Sequence, residues 1–271
     1  MDAAPSSADR PRPFGAAPRP APAVHPMTAD WPYPFWIAHR GAGKLAPENT
    51  LAAFRLGAQH GWRMFECDAK LSADGVPFLL HDSTLDRTTS GQGTAGDSPW
   101  GELSGLDAGG WHSRTFAGEP LPTLENVARW CLANGHFLDI EIKPTPGQEE
   151  RTGQVVAALA ARLWAKAATP PFLTSFRPEA LAGAMKAAPD LPRGLLLDTL
   201  WGGWADHAQN LECAAIICQH ELWGEALVAR VKAMGMRCLS YTVNDEVAAK
   251  RLIALGTDGI VSDRVDLFVP D

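Results

Sequence analysis

Four short clusters in this sequence carry side chains able to move protons and hold phosphate: His39-Arg40, Glu66-Cys67-Asp68, His81-Asp82 and Glu141-Ile142-Lys143. Side chains on a β-strand alternate between faces, so Glu66 and Asp68 share one face, and Glu141 and Lys143 share another. Three carboxylates converging on one rim repel one another unless a cation lies between them. A ligand set made only of oxygen suits a hard divalent ion, Mg2+ or Ca2+, rather than zinc. Beside such an ion, His39 and His81 can exchange the roles of proton acceptor and proton donor. Arg40 and Lys143 add fixed positive charge for phosphate oxygens and for the charge that develops on them. The chemistry implied is acid–base catalysis at a phosphorus centre, with either water or a neighbouring hydroxyl of the substrate as attacker.

Each cluster alone has a plainer reading. A His-Arg-Gly at a strand end is commonly structural, Glu-x-Asp arises by chance, and Glu-x-Lys can be a rim ion pair. Asp139, one step deeper on the Glu141 face, reads as a buried structural partner before a ligand. Alternation aims Cys67 outward into a helix layer, which makes it an inert core thiol. Trp201, Trp204 and Trp223 read as core or helix packing. The weight lies in the set, whose members all fall at expected strand ends.

Those strand ends must be brought together by the fold. Apolar runs at Trp36–His39, Arg63–Ala69, Val76–His81, Phe137–Lys143, Phe172–Ser175, Gly194–Leu197, Ala215–Cys218, Arg237–Val243 and Gly259–Ser262 read as strands. Segments of helical period separate most of them, for example Thr50–His60, Leu124–Asn134, Gly153–Lys166, Leu222–Met234 and Glu246–Leu255. Strand–helix alternation implies a parallel sheet with helices outside it. Nine runs are one too many for a barrel of eight. Ser72-Ala73-Asp74-Gly75 is too short for a parallel crossover, and Asp-Gly is a hairpin signal, so Val76–His81 is expected to be a return arm beyond the rim. Eight strands remain, as a closed (βα)8 barrel requires, with its site at the carboxyl ends of the strands.

Two stretches break the rhythm. Residues 82–123 show no clear helical period and read as a small inserted lobe over the site. Residues 1–34 are rich in Ala and Pro and read as a flexible tail ahead of a barrel spanning 35–271, with Met27 an alternative start.

Composition removes several classes. Hydrophobic residues at 46% and charged residues at 20% of 271 suit one soluble domain with a large core. A net charge of −7 argues against a nucleic-acid partner. No apolar run approaches the ~20 residues of a membrane helix, so no membrane insertion is expected. Five cysteines without paired spacing read as reduced thiols, which points to the cytoplasm.

The ordered motifs resemble the glycerophosphodiester phosphodiesterase family. His39-Arg40-Gly41-Ala42 followed by Ala46-Pro47-Glu48-Asn49-Thr50-Leu51 resembles its first block. Glu66-Cys67-Asp68, Asp74-Gly75, Leu80-His81-Asp82 and Thr84-Leu85-Asp86-Arg87-Thr88-Thr89 resemble its second. Leu121-Pro122-Thr123-Leu124, Asp139-Ile140-Glu141-Ile142-Lys143-Pro144, Ser175-Phe176, Tyr241-Thr242-Val243-Asn244 and Gly256–Asp263 carry it onward, so it covers Ile37 to Asp263. The resemblance implies a TIM barrel of the phosphatidylinositol phospholipase C-like kind, with a small inserted lobe. It implies metal ligation by Glu66, Asp68 and Glu141, acid–base work by His39 and His81, and phosphate contacts from Arg40 and Lys143. Glu48 falls where the family supports its active-site loop, whereas Asn49 also has a helix N-cap role open to it. Phe176 and Tyr241 fall where the family sets aromatic walls. Tryptophan is the commoner residue at the Tyr241 position, and the added hydroxyl offers a means of shifting headgroup preference. The expected reaction is hydrolysis of small glycerophosphodiesters such as glycerophosphocholine and glycerophosphoethanolamine to glycerol 3-phosphate and an alcohol. The alternatives are a related barrel phospholipase acting on lysophospholipids or phosphoinositides, and a barrel that only binds a phosphodiester. A homodimer is compatible with the sequence.

Overall fold

Eight parallel strands close on themselves in the computed structural model, which describes residues 31–270. In chain order the elements begin with β1 (Trp36–Ala38), α1 (Leu51–Gln59), β2 (Met64–Leu71) and β3 (Pro77–Leu79). The short helix α2 (Trp100–Leu103), α3 (Leu124–Asn134), β4 (Phe137–Ile142), α4 (Glu149–Leu163), β5 (Phe172–Ser175) and α5 (Pro178–Ala187) follow. The chain then runs through β6 (Arg193–Leu197), α6 (Trp204–Asn210), β7 (Ala215–Gln219), α7 (Glu225–Ala233), β8 (Arg237–Tyr241), α8 (Glu246–Leu255) and β9 (Gly259–Ser262).

The order β1-β9-β8-β7-β6-β5-β4-β2 is sealed by β1 pairing with β2, and every contact around the ring is parallel. The expected hairpin is present. β3 lies antiparallel on the tip of β2, with Ala69 opposite Leu79 and Leu71 opposite Pro77. This arm is shorter than its apolar run suggested, so His81 sits two residues past the strand rather than at its end. α7 is likewise shorter than its periodic stretch, because residues 220–222 form a separate 3-10 turn.

The helix layer and the outward strand residues form one core, in which Phe65, Cys67 and Ile140 meet Phe54, Leu124 and Val156. Cys67 is fully buried there, as alternation required, and Trp204 and Trp223 pack in the same layer. Ile37, Met64, Phe172, Ile217, Leu239 and Val261 fill the barrel interior. Residues 1–30 of the expected tail lie outside the described residues. Tyr33, by contrast, is buried against that interior, and its hydroxyl donates to the Pro170 carbonyl at 3.0 Å. This apolar cluster includes Met64, two residues before Glu66 on the same inward face of β2.

Residues 82–123 contain α2 and two 3-10 turns, short structure that the absence of a helical period did not reveal. They gather an apolar cluster of their own around Leu85, Leu103 and Leu121, which Phe78 and Leu80 of the hairpin join. Polar contacts bind this stretch to the start of α1 and to the loop before it: Ala52 N donates to Glu119 Oε1, and the His112 ring meets the Lys44 carbonyl at 3.0 Å.

The loop after β1 is seated on α1 by two glycines. Gly41 has φ +101°, a conformation suited to glycine, and a Cβ there would lie 2.8 Å from the Phe54 nitrogen. Gly57 lets the Gly41 carbonyl approach, since a Cβ at Gly57 would lie 2.2 Å from that oxygen. Gly57→Ala is therefore expected to destabilise the protein by about 1–3 kcal/mol through overpacking. This runs against the gain of about 1 kcal/mol that helix propensity alone would give. Urea unfolding measures the sign, and a more stable variant would mean that the loop does not rest on Gly57.

Candidate active site

Alternation on β2 and β4 sends Glu66, Asp68 and Lys70 inward from one strand and Asp139, Glu141 and Lys143 inward from its neighbour. The register sets Glu66 beside Asp139 and Asp68 beside Glu141. One oxygen from each of Glu66, Asp68 and Glu141 lies within 4.8 Å of the others, and all three residues are buried. Glu66 Oε1 and Asp68 Oδ1 accept no hydrogen bond, while Glu141 Oε1 meets the Lys143 ammonium at 2.9 Å. Buried carboxylate oxygens without donors are costly unless a cation satisfies them. The oxygen-only donor set therefore fits a hard divalent metal ion. Asp139 stays outside this trio and accepts from the Thr174 hydroxyl at 2.9 Å, the structural role its deeper position suggested.

Charge balance is uneven within the trio. Burial, then repulsion by Asp68 and Glu141, raises Glu66 well above the ordinary carboxyl range. Burial also lifts Glu141, to about 7. Burial opposes the charge on Asp68 too, but Arg40, Lys143, His81 and the Asn49 amide outweigh it and hold Asp68 ionised. Arg40 Nε lies 3.2 Å from Asp68 Oδ2, and Lys143 Nζ lies 3.6 Å from Asp68 Oδ1.

The loop after β1 wraps this cluster. Arg40 (φ +51°) donates its backbone N–H to Glu66 at 3.0 Å and its guanidinium to Glu48 at 2.8 Å. Asn49 (φ +61°) grips Asp68 twice, donating to Oδ2 at 2.7 Å and accepting from its backbone N–H at 3.0 Å. Asn49 is thus not the N-cap of α1. Thr50 is, because its extended backbone lets its hydroxyl accept from Ala53 N, whereas the left-handed Asn49 turns its amide inward to Asp68.

The two histidines flank β2, His39 after β1 and His81 after β3. His39 Nδ1 is 2.6 Å from Asp263 Oδ1, and its Nε2 is 3.8 Å from Glu66. His81 Nδ1 is 2.8 Å from Asp82 Oδ1. An ionised carboxylate can only accept, so each Nδ1 carries the proton and each Nε2 is left for the cleft. Burial, with Arg40 and Lys143 nearby, pushes the His81 imidazole below its ordinary value against the pull of Asp68 and Asp82.

His81, Glu141, Lys143 and Phe176 line a cleft of about 540 Å³ with Lys70 and Arg177. Phe176 and Tyr241 meet edge to face, with ring centres 5.6 Å apart, and the Lys143 ammonium stands 5.7 Å from the Phe176 ring. The Tyr241 hydroxyl donates to the Leu197 carbonyl at 3.1 Å, so its proton is committed to the barrel.

The glycerophosphoryl diester phosphodiesterase family model matches residues 39–267, the stretch that holds all of these groups. The chain belongs to this family, and it is an enzyme of that class. A glycerophosphodiester phosphodiesterase of Caldanaerobacter subterraneus subsp. tengcongensis is 34% identical over 238 residues, 86% of this chain and 95% of that one. An Oleispira antarctica phosphodiesterase solved with the product sn-glycerol-3-phosphate superposes with a TM-score of 0.79 at 35% identity, covering 85% of this chain and 93% of its own. The glycerophosphodiester phosphodiesterase of Agrobacterium tumefaciens gives 0.72 at 31% identity, over 88% and 99% of the two chains. Among the described residues of this phosphodiesterase, no helix is long and apolar enough to cross a membrane.

All eleven site residues expected from sequence fall in one region around the cleft or directly behind it. Four further groups were missed. Asp263 follows β9 as His39 follows β1, and the strand-end rule that found the others would have found it. Asn244 holds Asp263, donating to Oδ2 at 2.8 Å and accepting from its backbone N–H at 2.9 Å. Lys70 lies two residues past Asp68 on the same face, and burial, then Lys143, lowers its ammonium to about 8. Arg87 lies in the Thr84–Thr89 motif that carries the resemblance, but nothing in its local pattern assigns it a role.

The raised Glu141 carboxyl makes cation binding and pH inseparable. Between about 4.5 and 7 the unfolded chain gives up a proton that folded Glu141 keeps, so the metal-free protein loses stability as pH rises through that window. A bound cation displaces that proton. The gain in Tm on adding Mg2+ or Ca2+ is expected to grow from pH 5 to pH 8, by thermal melts in matched buffers. A gain flat across that range would separate Glu141 from the metal.

Proposed function

We propose that this phosphodiesterase hydrolyses small glycerophosphodiesters, such as glycerophosphocholine and glycerophosphoethanolamine, to sn-glycerol 3-phosphate and an alcohol, with His39 and His81 as its acid–base pair. One observation carries the reading. Two imidazoles, each held at Nδ1 by a carboxylate, flank three buried carboxylates that have oxygens to spare.

Glu66, Asp68 and Glu141 would hold one Mg2+ or Ca2+, which would supply positive charge for the phosphate oxygens and for the charge that develops on them. Arg40 and Lys143, both kept charged by the carboxylates around them against the cost of burial, offset the remaining phosphate charge. One histidine accepts the proton of the attacking oxygen at Nε2 while the other donates from Nε2 to the departing alkoxide. Asp263 and Asp82 stabilise whichever imidazole is transiently cationic. Phe176 and Tyr241 wall the glycerol end with apolar surface. Five buried, unpaired cysteines suit a reducing compartment, so we assign the chain to the cytoplasm.

His39→Ala and His81→Ala should each lower turnover of glycerophosphocholine by roughly 10²–10⁴-fold with substrate binding largely kept. Glycerol 3-phosphate release is the assay, and a wild-type rate in either variant removes that imidazole from the mechanism. Glu66→Ala and Glu141→Ala are expected to weaken cation affinity in calorimetric titration, and unchanged affinity in both would place the ion elsewhere.

A further inference from the structure

The carboxylate behind each histidine is itself held by a second donor. Behind His39, Asn244 pins Asp263. Behind His81, the corresponding donor is Arg87. Its Nε donates to Asp82 Oδ2 at 2.7 Å and its Nη2 to Asp82 Oδ1 at 3.0 Å. The same guanidinium grips Glu48, with Nη1 donating to Oε2 and Nη2 to Oε1, both at 2.8 Å. Glu48 Oε1 also accepts from Arg40 Nη1 at 2.8 Å, and Arg40 leads on to Asp68. An alternating row of charges thus runs from the metal-site carboxylates to His81: Asp68, Arg40, Glu48, Arg87, Asp82.

An exposed ion pair is ordinarily worth little. Arg87 departs from that case, because one planar guanidinium makes four hydrogen bonds to two carboxylates from separate segments. Its side chain is 44% exposed, whereas that of Glu48 is 13% and that of Asp82 27%, so it closes the row from the solvent side. Asp82 sits on an irregular stretch after β3, where no strand pairing fixes its rotamer. Without Arg87, nothing else in that row would hold the Asp82 oxygens toward His81 Nδ1.

We propose that Arg87 is a positioning residue for the phosphodiesterase reaction, pinning the Asp82 carboxylate so that Asp82 holds the His81 imidazole in its productive orientation. Arg87 touches no reacting atom. Its contribution passes through His81. This rests on the function proposed above, in which His81 moves a proton.

The test compares wild type, Arg87→Ala, His81→Ala and the double variant on glycerophosphocholine with saturating Mg2+. Arg87→Ala is expected to lower kcat by about 10–100-fold, the usual effect of removing a partner behind a catalytic side chain, with KM little changed. In the His81→Ala background the same substitution should cost little further, because the group it orients is gone. Guanidinium ion added to Arg87→Ala should restore part of the rate, and methylammonium at the same concentration should not. If Arg87→Ala fails to fold, Arg87→Lys keeps the charge but cannot span both carboxylates, and is expected to fold with a reduced kcat. A wild-type kcat in Arg87→Ala, or a loss undiminished in the His81→Ala background, would overturn the proposal. Wild-type protein that releases no glycerol 3-phosphate would instead sink the phosphodiesterase reading on which it stands.

Discussion

Mutual repulsion among three buried carboxylates is the constraint around which the rest of this site is arranged. Glu66, Asp68 and Glu141 approach within 4.8 Å in a barrel whose interior also holds a cluster of apolar side chains. Burying even one unpaired carboxylate is expensive, and the usual response is a shifted pKa or a nearby cation. Both occur here. Glu66 and Glu141 are pushed upward, and Asp68 is kept ionised by Arg40, Lys143 and Asn49. The backbone bears part of the cost. Among the described residues Arg40, Asn49 and Glu212 have positive φ without being glycine, and two of these three serve the cluster. Such conformations cost about 1–3 kcal/mol each and persist only where surrounding contacts over-determine them. Here those contacts are the hydrogen bonds from Arg40 to Glu66 and between Asn49 and Asp68.

The same electrostatic arrangement prepares the imidazoles. A carboxylate behind Nδ1 fixes the tautomer and turns Nε2 toward the cleft, as in other acid–base sites built on histidine. Here it is done twice, with different supports. Asp263 is tied to the barrel by a neutral amide on the adjacent β8–α8 connection, and the result is the shorter contact, 2.6 Å. Asp82 is tied by a guanidinium shared with the loop after β1, in a more exposed setting. One histidine therefore stands beside the ring of strands, and the other at the border of residues 82–123. In the proposed reaction the two act on one phosphorus, and the Glu48–Arg87–Asp82 contacts link the segments that carry them.

Most of this was legible in the chain because strand physics is local. Period-two alternation put Glu66 with Asp68 and Glu141 with Lys143 on inward faces. The Asp74-Gly75 turn separated the hairpin arm from the eight ring strands. Sequence reading stopped where a side chain's partner is chosen by three-dimensional neighbours. Asn49 looked like a helix cap because asparagine is good at that task, yet a positive φ and the nearness of Asp68 give it another one and leave the cap to Thr50. Arg87 belongs to a stretch without periodicity, and its two carboxylate partners are 5 and 39 residues away. The Tyr241 hydroxyl offered a specificity element by type alone, but it is bound to a carbonyl on a neighbouring part of the barrel.

The distribution of polar groups in the cleft also bears on how the two ends of a substrate are treated. Arg40, Lys143, Lys70 and the three carboxylates concentrate charge and directional hydrogen bonding on the β2–β4 side. On the other side Phe176 and Tyr241 present rings, with Arg177 following Phe176 at the cleft wall. A buried polar group rejects an ill-fitting partner strongly, because it is left unpaired, whereas an apolar wall discriminates by only about 1–3 kcal/mol per methylene. On the proposed reading, recognition is strict where Arg40 and Lys143 meet the phosphate and more tolerant along the aromatic wall. That asymmetry also explains how a chain with a net charge of −7 can receive an anion. The cations that matter are few, are held in place by the carboxylates they neutralise, and act at a range of a few ångströms, where the charge of the remaining surface is screened.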